Sequence, residues 1–245
     1  QPRAAVNYWK RKGVDRVVLA RELTLSQLEA VQSGSELPLE VFIHGGMCIS
    51  YSGRCMLSNH MTLRDANRGG CAQSCRWKYR LYENGRPIHD EKILFSMSSK
   101  DLMGARFLPD LIRMGIASVK IEGRMKSTYY IATLIHTYRM LIDEIYTEGS
   151  ISDQRMDWYC AQLAKAENRP FATGFYLGMP QANDQLYGVN GAGISGEYIA
   201  DVIAYDSTHK TATLKVRNKF DPGTLAEAFA PHEPLRQFII SEIYD

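Results

Sequence analysis

Apolar and polar positions divide the chain into a part where strand and helix patterns alternate and a later part that reads as strands alone. Residues 14–19, VDRVVL, form a β-branched run, and RELTLSQLEAVQSG follows with Thr24 and Gln27 in capping-box positions and Gly34 as a helix end. LPLEVFIHG gives a second strand at 39–43, stopped by Gly45-Gly46, and KILFS at 92–96 a third. The segment DLMGARFLPDLIRMG reads as a helix closing on Gly115, and IASVKIEG as a fourth strand. Ser127 then opens a long amphipathic helix to about Glu148, with Tyr130, Leu134, Tyr138, Leu141 and Ile145 at helical spacing.

Repeated strand–helix units imply parallel strands with right-handed crossovers, hence an α/β architecture. Four units are half of an eight-unit barrel, so the pattern predicts the C-terminal half of a TIM-type (β/α) barrel over residues 1–150, with a loop at 44–80. An open doubly wound sheet is the alternative. The chain begins at Gln1, not at a methionine. The other barrel half is therefore expected either upstream or from a second subunit. ISDQRMDWYCAQLAKAENR forms a connecting helix and linker at 151–170. Residues 171–245 turn Gly-rich, with strand-like runs at 198–205, 211–216 and 237–240 separated by turns such as Asp221-Pro222-Gly223, and predict a small antiparallel, barrel-like β domain.

Composition adds exclusions. Hydrophobic residues make up 45% and charged residues 23% of the 245, an ordinary globular balance that excludes disorder as the main theme. No apolar run is long enough to span a bilayer, and QPRAAVNYWKRKG lacks the apolar stretch of a signal peptide, so no membrane is expected and the cytoplasm is the expected location. The net charge of +2 is uninformative on average. Locally, Arg64, Arg68, Arg76, Lys78 and Arg80 face one acid, Asp65, which suits either a solvated loop or a nucleic-acid backbone. Trp77 and Tyr79 alternate with these cations, as in a strand whose aromatics turn inward or in a base-stacking surface.

The strongest chemical signal is cysteine. Four of the five cysteines, Cys48, Cys55, Cys71 and Cys75, fall within 28 positions, separated by six, fifteen and three residues. In a cytosolic chain such a cluster points to metal or redox chemistry rather than disulfides. Four thiolates suit an iron–sulfur cluster or zinc. The loose first spacing departs from zinc knuckles, and Gly53, Gly69 and Gly70 would let backbone N–H groups approach sulfide. The fifth, Cys160, reads as a small buried hydrophobe.

The stretch EVFIHGGMCISYSGRCMLS resembles the signature of the collagenase-like peptidase family U-32, and NRGGCAQSCRWKY, SSKDL and KIEGRMKS resemble its downstream motifs in order. NRPFATGFYLG and VRNKF are similar to the start of that family's C-terminal β domain. The resemblance implies one of two activities: collagen-type proteolysis, or RNA hydroxylation, in particular formation of 5-hydroxyuridine at the tRNA wobble position with prephenate as a required metabolite. It also implies a four-iron cluster held by Cys48, Cys55, Cys71 and Cys75. Many members read KDLC where this chain has Met103, and Cys75 is the natural replacement.

Hydroxylation needs a redox group that side chains alone do not supply. On a barrel, candidate residues lie at strand ends, here Glu40, His44, Lys120, Glu122 and Arg124. Glu122 is a candidate acid or base, Lys120 and Arg124 candidates to hold carboxylates of a prephenate-like acid, and His44 a donor to substrate. Each also suits an ion-paired rim. For proteolysis the sequence offers no HExxH or GxSxG motif, only His44 near Cys48. A zinc-stabilised binding module without catalysis is the third class.

Overall fold

The computed structural model describes residues 2–88, 94–166, 169–187, 198–231 and 233–244. In chain order its elements are α1 (Arg3–Arg11), β1 (Val17–Val18), α2 (Leu25–Gln32), β2 (Leu39–Gly45), α3 (Leu57–Thr62), β3 (Tyr82–Glu83), β4 (Arg86–Pro87), β5 (Ser98–Ser99) and β6 (Asp101–Met103). They continue with α4 (Leu108–Arg113), β7 (Ser118–Ile121), α5 (Thr128–Glu148), α6 (Asp153–Ala164), β8 (Phe171–Ala172), β9 (Gln185–Leu186), β10 (Ala200–Asp206), β11 (Thr211–Val216), β12 (Leu225–Ala228) and β13 (Arg236–Ile239).

Strand β2 organises the main sheet. It runs parallel to β1 through Val17–Leu39 and Val18–Glu40, and parallel to β7 from Glu40–Ser118 to His44–Ile121. At its C-terminal end β6 joins antiparallel, with His44 opposite Met103 and Gly45 opposite Leu102. Strand β8 then pairs parallel to β6. The sheet is therefore mixed and, among the described residues, does not close into a barrel. The expected all-parallel order fails at β6 for a topological reason. Parallel neighbours need a crossover that carries the chain back to the starting end of the sheet. Residues 46–100 instead make an excursion, with α3 as the one α-helix among its described residues, that returns to the end of β2 it left.

Several local expectations change with it. The helix predicted over 101–115 begins as strand β6, passes through a 3-10 turn at Ala105–Phe107, and becomes α-helical at Leu108, with a proline in its first turn. The strand predicted at 92–96 falls partly outside the described residues, and Phe95 makes an isolated bridge to Tyr79. Helix α2 has its capping box at Thr24 and Gln27, but Ser33 ends it, and Gly34 serves instead as the place where Arg3 packs against bare backbone. The boundary expected at 171 lies inside the main sheet region, because β8 pairs with β6 and β9 with β5. Helix α1 and strand β12 were not anticipated. The C-terminal segment forms two separate antiparallel ladders, β10–β11 and β12–β13, not a barrel among the described residues.

Burial explains why α5 is the main support of the sheet. Leu39, Val41 and Ile43 of β2 share one core with Tyr130, Leu134, Tyr138, Leu141 and Ile145, the five α5 positions that helical spacing selects. Ser127 caps the helix by accepting the Tyr130 N–H at 3.1 Å, and Gly149 ends it in the left-handed region. Cys160 packs against this core. The C-terminal ladders dock on α5 and α6 through a Tyr129–Tyr198 stack with centroids 5.2 Å apart, His136 against Phe229 and an ion pair between Lys165 and Glu227. No helix among the described residues is long and apolar enough to cross a membrane.

Leu134 has no solvent exposure. Its truncation in Leu134→Ala removes sheet-to-helix contacts and leaves a cavity, so a loss of about 2–5 kcal/mol is expected in a urea unfolding titration. A midpoint unchanged from the wild type would mean that α5 does not support β2.

Candidate functional site

The site is built where β2 and β7 end side by side. Gly45 has φ +109°, and a Cβ there would collide with the Glu122 carbonyl. A Cβ on Gly46 would meet Glu122 Oε2 at 2.9 Å and the Arg76 guanidinium at 3.0 Å. Only the two glycines let three chain segments converge. Glu122 locks the junction, since its carboxylate accepts the Gly46 N–H at 3.3 Å and the Arg124 N–H at 2.9 Å. Arg124 then reaches back to donate to the carbonyls of Gly69 and Cys71 at 3.2 and 3.5 Å, and Arg76 donates to Met47 at 3.3 Å.

The cysteine-bearing loop is tied internally by side chain to backbone bonds. Asn67 accepts the Cys55 N–H and donates to the Cys55 carbonyl, both at 3.0 Å. Buried Ser58 donates to Arg64 and accepts from Ala72, and the Tyr79 hydroxyl donates to the Ser74 carbonyl at 2.6 Å. Two thiols already accept backbone N–H groups, Cys48 from Ser50 and Cys71 from Gln73, each at 3.4 Å.

Cys48, Cys55, Cys71 and Cys75 all line one cavity of about 650 Å³, together with Arg21, Arg76, Lys100, Glu122 and Arg124. Burial, followed by a bond from Ser50 that opposes it and by the neighbouring thiols, pushes the Cys48 thiol above its usual range while Arg21 pulls it down. Cys75 is likewise raised by burial and then by Cys48, with Arg76 opposing. Cys48 and Cys75 therefore both feel neighbouring thiols. Among the described residues no three His, Cys, Asp or Glu side chains are gathered to hold a single metal ion. Met103 packs with the core, whereas Cys75 faces the cavity.

The other expected site residues separate. Glu122, Arg124 and Arg76 reach the cavity, but Arg76 is half-buried there and not on an outer surface. Glu40 and Lys120 do not line it. Glu40 is the second residue of β2, not at its end, and it is bound by Arg16 (3.4 Å), Lys120 (3.2 Å) and the Ser118 hydroxyl (2.9 Å), which hold its carboxyl below its usual range against the opposing effect of burial. That is the ion-paired alternative. Arg64, Arg68, Lys78 and Arg80 lie on the outer face of the cysteine loop, exposed, as does Trp77, while Tyr79 is half-buried.

His44 is buried behind the junction and lies against Tyr130, Tyr138 and Phe171. The Tyr138 hydroxyl donates to the Ile43 carbonyl, so His44 Nδ1–H donates to Tyr138 at 3.0 Å, and Nε2 has no partner among the described residues. Burial and then Lys126 lower its pKa to about 3. A neutral histidine in this position neither donates to a ligand in the cavity nor activates Cys48, whose thiol is raised rather than lowered.

Sequence reasoning missed three features. Arg21 stands at the end of the β1 segment with its guanidinium 3.7 Å above the Phe42 ring, and burial lowers its pKa. The strand-end rule that selected Glu122 would have selected Arg21 too. Tyr51, Phe175 and Met179 form one side of the cavity mouth, and Tyr51 lies inside the cysteine signature itself. Asp101, buried at the start of β6, bonds Lys126 at 3.0 Å and Arg169 at 3.1 Å, and no local pattern announces that long-range cluster.

Residues 2–186 match Peptidase family U32. The chain belongs to that family. It is 42% identical over 246 residues to the tRNA hydroxylation protein P1 of Bacillus subtilis (strain 168), covering 98% of this chain and 58% of the relative. It is 27% identical over 274 residues to the tRNA hydroxylation protein P of Escherichia coli (strain K12), covering 93% of this chain and 60% of the relative. The 23S rRNA 5-hydroxycytidine C2501 synthase of the same organism is 42% identical over 137 residues, 56% of this chain and 21% of that protein. The chain thus spans at most about three fifths of these curated relatives. No solved structure matches it.

Asp101→Asn takes the Asp101 carboxylate away from the nearly buried Lys126 ammonium. A loss of about 3–5 kcal/mol is expected in denaturant unfolding, and adding Lys126→Met should restore part of it. Equal stability of Asp101→Asn and wild type would show that Lys126 does not depend on this carboxylate.

His44 also sets a pH dependence. Its folded pKa, about 3, lies below the ordinary 6.5, so below pH 6.5 the unfolded chain takes up a proton that the folded chain refuses. Stability is full above pH 6.5 and declines as pH falls toward 3, by about 1.4 kcal/mol per unit from this group. His44→Phe should flatten that part of the curve in unfolding titrations across pH, and an unaltered slope would assign the acid loss elsewhere.

Proposed function

We propose that this chain is the cluster-holding part of an RNA hydroxylation protein that forms 5-hydroxyuridine in tRNA in the cytoplasm. The observation that carries the reading is the convergence of four thiols and three arginines on one cavity at the ends of β2 and β7. The relatives named for tRNA hydroxylation and rRNA hydroxycytidine synthesis support the reaction class.

Cys48, Cys55, Cys71 and Cys75 would hold a four-iron, four-sulfide cluster. A cluster takes its thiolates on separate irons, so its ligands stand wider apart than those on one ion. That difference favours a cluster over zinc where no three donors are gathered for a single ion among the described residues. When bound, the cluster supplies the one-electron chemistry that uridine oxidation requires. The chain's own residues prepare the surroundings. Arg124 fixes the loop by its bonds to Gly69 and Cys71, and Arg76 brings a second guanidinium to the same cavity. The pair suits a small carboxylic acid of the prephenate type, because paired guanidinium groups recognise carboxylates by charge-assisted bonds. Glu122, with its carboxylate on the Gly46 and Arg124 N–H groups, acts as a positioning residue. Arg64, Arg68, Lys78 and Arg80, exposed on the same loop, would meet tRNA phosphates.

The parallel trio β1–β2–β7 has the pairing of one arc of a (β/α) barrel, and we read it as such within a longer protein. For a cysteine peptidase, suggested by the family's name, His44 is no activating base, since it is turned away into the core.

Two measurements test the proposal. Protein purified without oxygen should contain about four iron and four sulfide per chain, with zinc only in traces. Deletion of the gene should remove 5-hydroxyuridine from tRNA nucleosides, and wild type but not Cys71→Ser should restore it. Stoichiometric zinc, or hydroxyuridine unaffected by the deletion, would overturn the reading.

A further inference from the structure

The cavity mouth carries an apolar feature that neither thiol ligation nor the bound acid explains. Tyr51 is 56% exposed although it sits between Cys48 and Cys55. It is not a loose side chain on a loose loop. The Arg54 N–H donates to the Tyr51 carbonyl at 3.0 Å, closing a turn, and Ser52 donates its N–H and its hydroxyl to the two oxygens of Glu22 at 2.6 and 3.0 Å. Beside it, Phe175 has its ring centroid 6.3 Å from that of Tyr51 at an angle of 48°, and the Tyr51 hydroxyl points at Met179 Sδ at 3.9 Å. The Phe175 segment is anchored just as firmly. Its neighbour Tyr176 is buried, donates its hydroxyl to the Phe42 carbonyl at 2.5 Å, and offers its own carbonyl to the Leu25 N–H.

Deeper in the same cavity, the Arg21 guanidinium lies on Phe42, makes no hydrogen bond among the described residues, and so keeps its N–H groups available. The cavity thus offers a fixed aromatic face at the mouth, a tilted aromatic and a thioether beside it, and an unpaired planar donor below, all next to the thiols. A flat ligand with an apolar face and carbonyl oxygens on its edge matches this arrangement. An unpaired pyrimidine base has that chemistry, and enzymes that modify a base must take it out of its stack.

We infer that Tyr51 is the stacking platform for the target pyrimidine, with Phe175 and Met179 as the side wall and Arg21 donating to a base carbonyl. The inference rests on the RNA hydroxylation reading and adds the base subsite to it. The slot is half formed. Two stacking contacts need about 7 Å between ring planes, so the base lies against Tyr51 while the tilted Phe175 closes its edge.

The test uses an anticodon stem–loop RNA with 4-thiouridine at the wobble position and the full-length, cluster-containing protein. Irradiation of the wild type should join the thiouridine to a peptide containing Tyr51, Phe175 or Arg21. In equilibrium binding, Tyr51→Ala should weaken the intact stem–loop about tenfold, as loss of one base–aromatic stack does, with Tyr51→Phe close to wild type. An RNA abasic at the wobble position should bind wild type and Tyr51→Ala equally. Several outcomes would overturn the subsite: a cross-link that maps outside these residues, no cross-link at all, or a Tyr51→Ala deficit of the same size on intact and abasic RNA. If Tyr51→Ala loses iron, the wild-type cross-link alone decides. A misplaced cross-link in a protein whose deletion still abolishes hydroxyuridine removes the subsite and leaves the reaction assignment standing, whereas unaffected hydroxyuridine removes the assignment.

Discussion

One carboxylate holds the site together. Glu122 follows directly on β7, and by accepting N–H groups from Gly46 and Arg124 it joins the ends of two parallel strands to the residues that follow each. Every later feature depends on that joint. Arg124 reaches the Gly69 and Cys71 carbonyls because its own backbone is fixed there, and the start of the cysteine loop is fixed because Gly46 is. The side-chain space at Gly46 belongs to Glu122 and Arg76. A carboxylate bound by two backbone donors is a stronger and more directional tie than a surface ion pair. It lets a long excursion with little regular structure present its thiols from a defined origin.

Electrostatics impose the second constraint. Thiols at a shared cavity resist ionisation, because burial and mutual repulsion both favour the neutral form, as the raised Cys48 and Cys75 show. Arg21 and Arg76 act in the opposite sense on these two cysteines. A cavity meant only for inert packing would gain nothing from half-buried guanidinium groups, whose desolvation is costly. A cavity that must hold thiolates, or a cofactor that keeps their negative charge, gains compensation from them. The buried Asp101 with Lys126 and Arg169 is a separate charged group, and it anchors β6 where the strand reverses the direction of the sheet.

Legibility in the sequence followed the range of the interactions. Helix α5 was readable to within a residue because its cap, its apolar stripe and its terminal glycine are all local. Strands β2, β7 and β11 were readable for the same reason. β6 was not, because its three residues owe their extended form to pairing with β2 and to the distant partners of Asp101. The cysteine block announced itself through spacing, and its four thiols line one cavity. Glu40 and Lys120 misled because a strand-end rule ignores which end and which face a residue takes: Glu40 is at the start of β2, and Lys120, near the end of β7, turns to Glu40 and away from the cavity. His44 sits near the right end, yet its side chain turns to Tyr138 in the core, and alternation along a strand cannot reveal which face the cavity takes when the register shifts between Phe42 and His44.

The division of labour within the cysteine loop follows from its closure. Because the loop leaves and rejoins the sheet at one place, it has an inner side turned to the cavity and an outer side turned to solvent. The four thiols and Arg76 occupy the inner side, and Arg64, Arg68, Lys78 and Arg80 the outer one. Arg76 and Lys78, two residues apart, therefore sit in different environments, and the basic run that looks uniform in the sequence divides between cavity and solvent. Tyr51 and Met179, exposed residues of the cavity lining, stand where that inner side opens to solvent. The loop thus holds its cavity-facing thiols and its solvent-facing cations on one segment whose ends meet at the same place in the sheet.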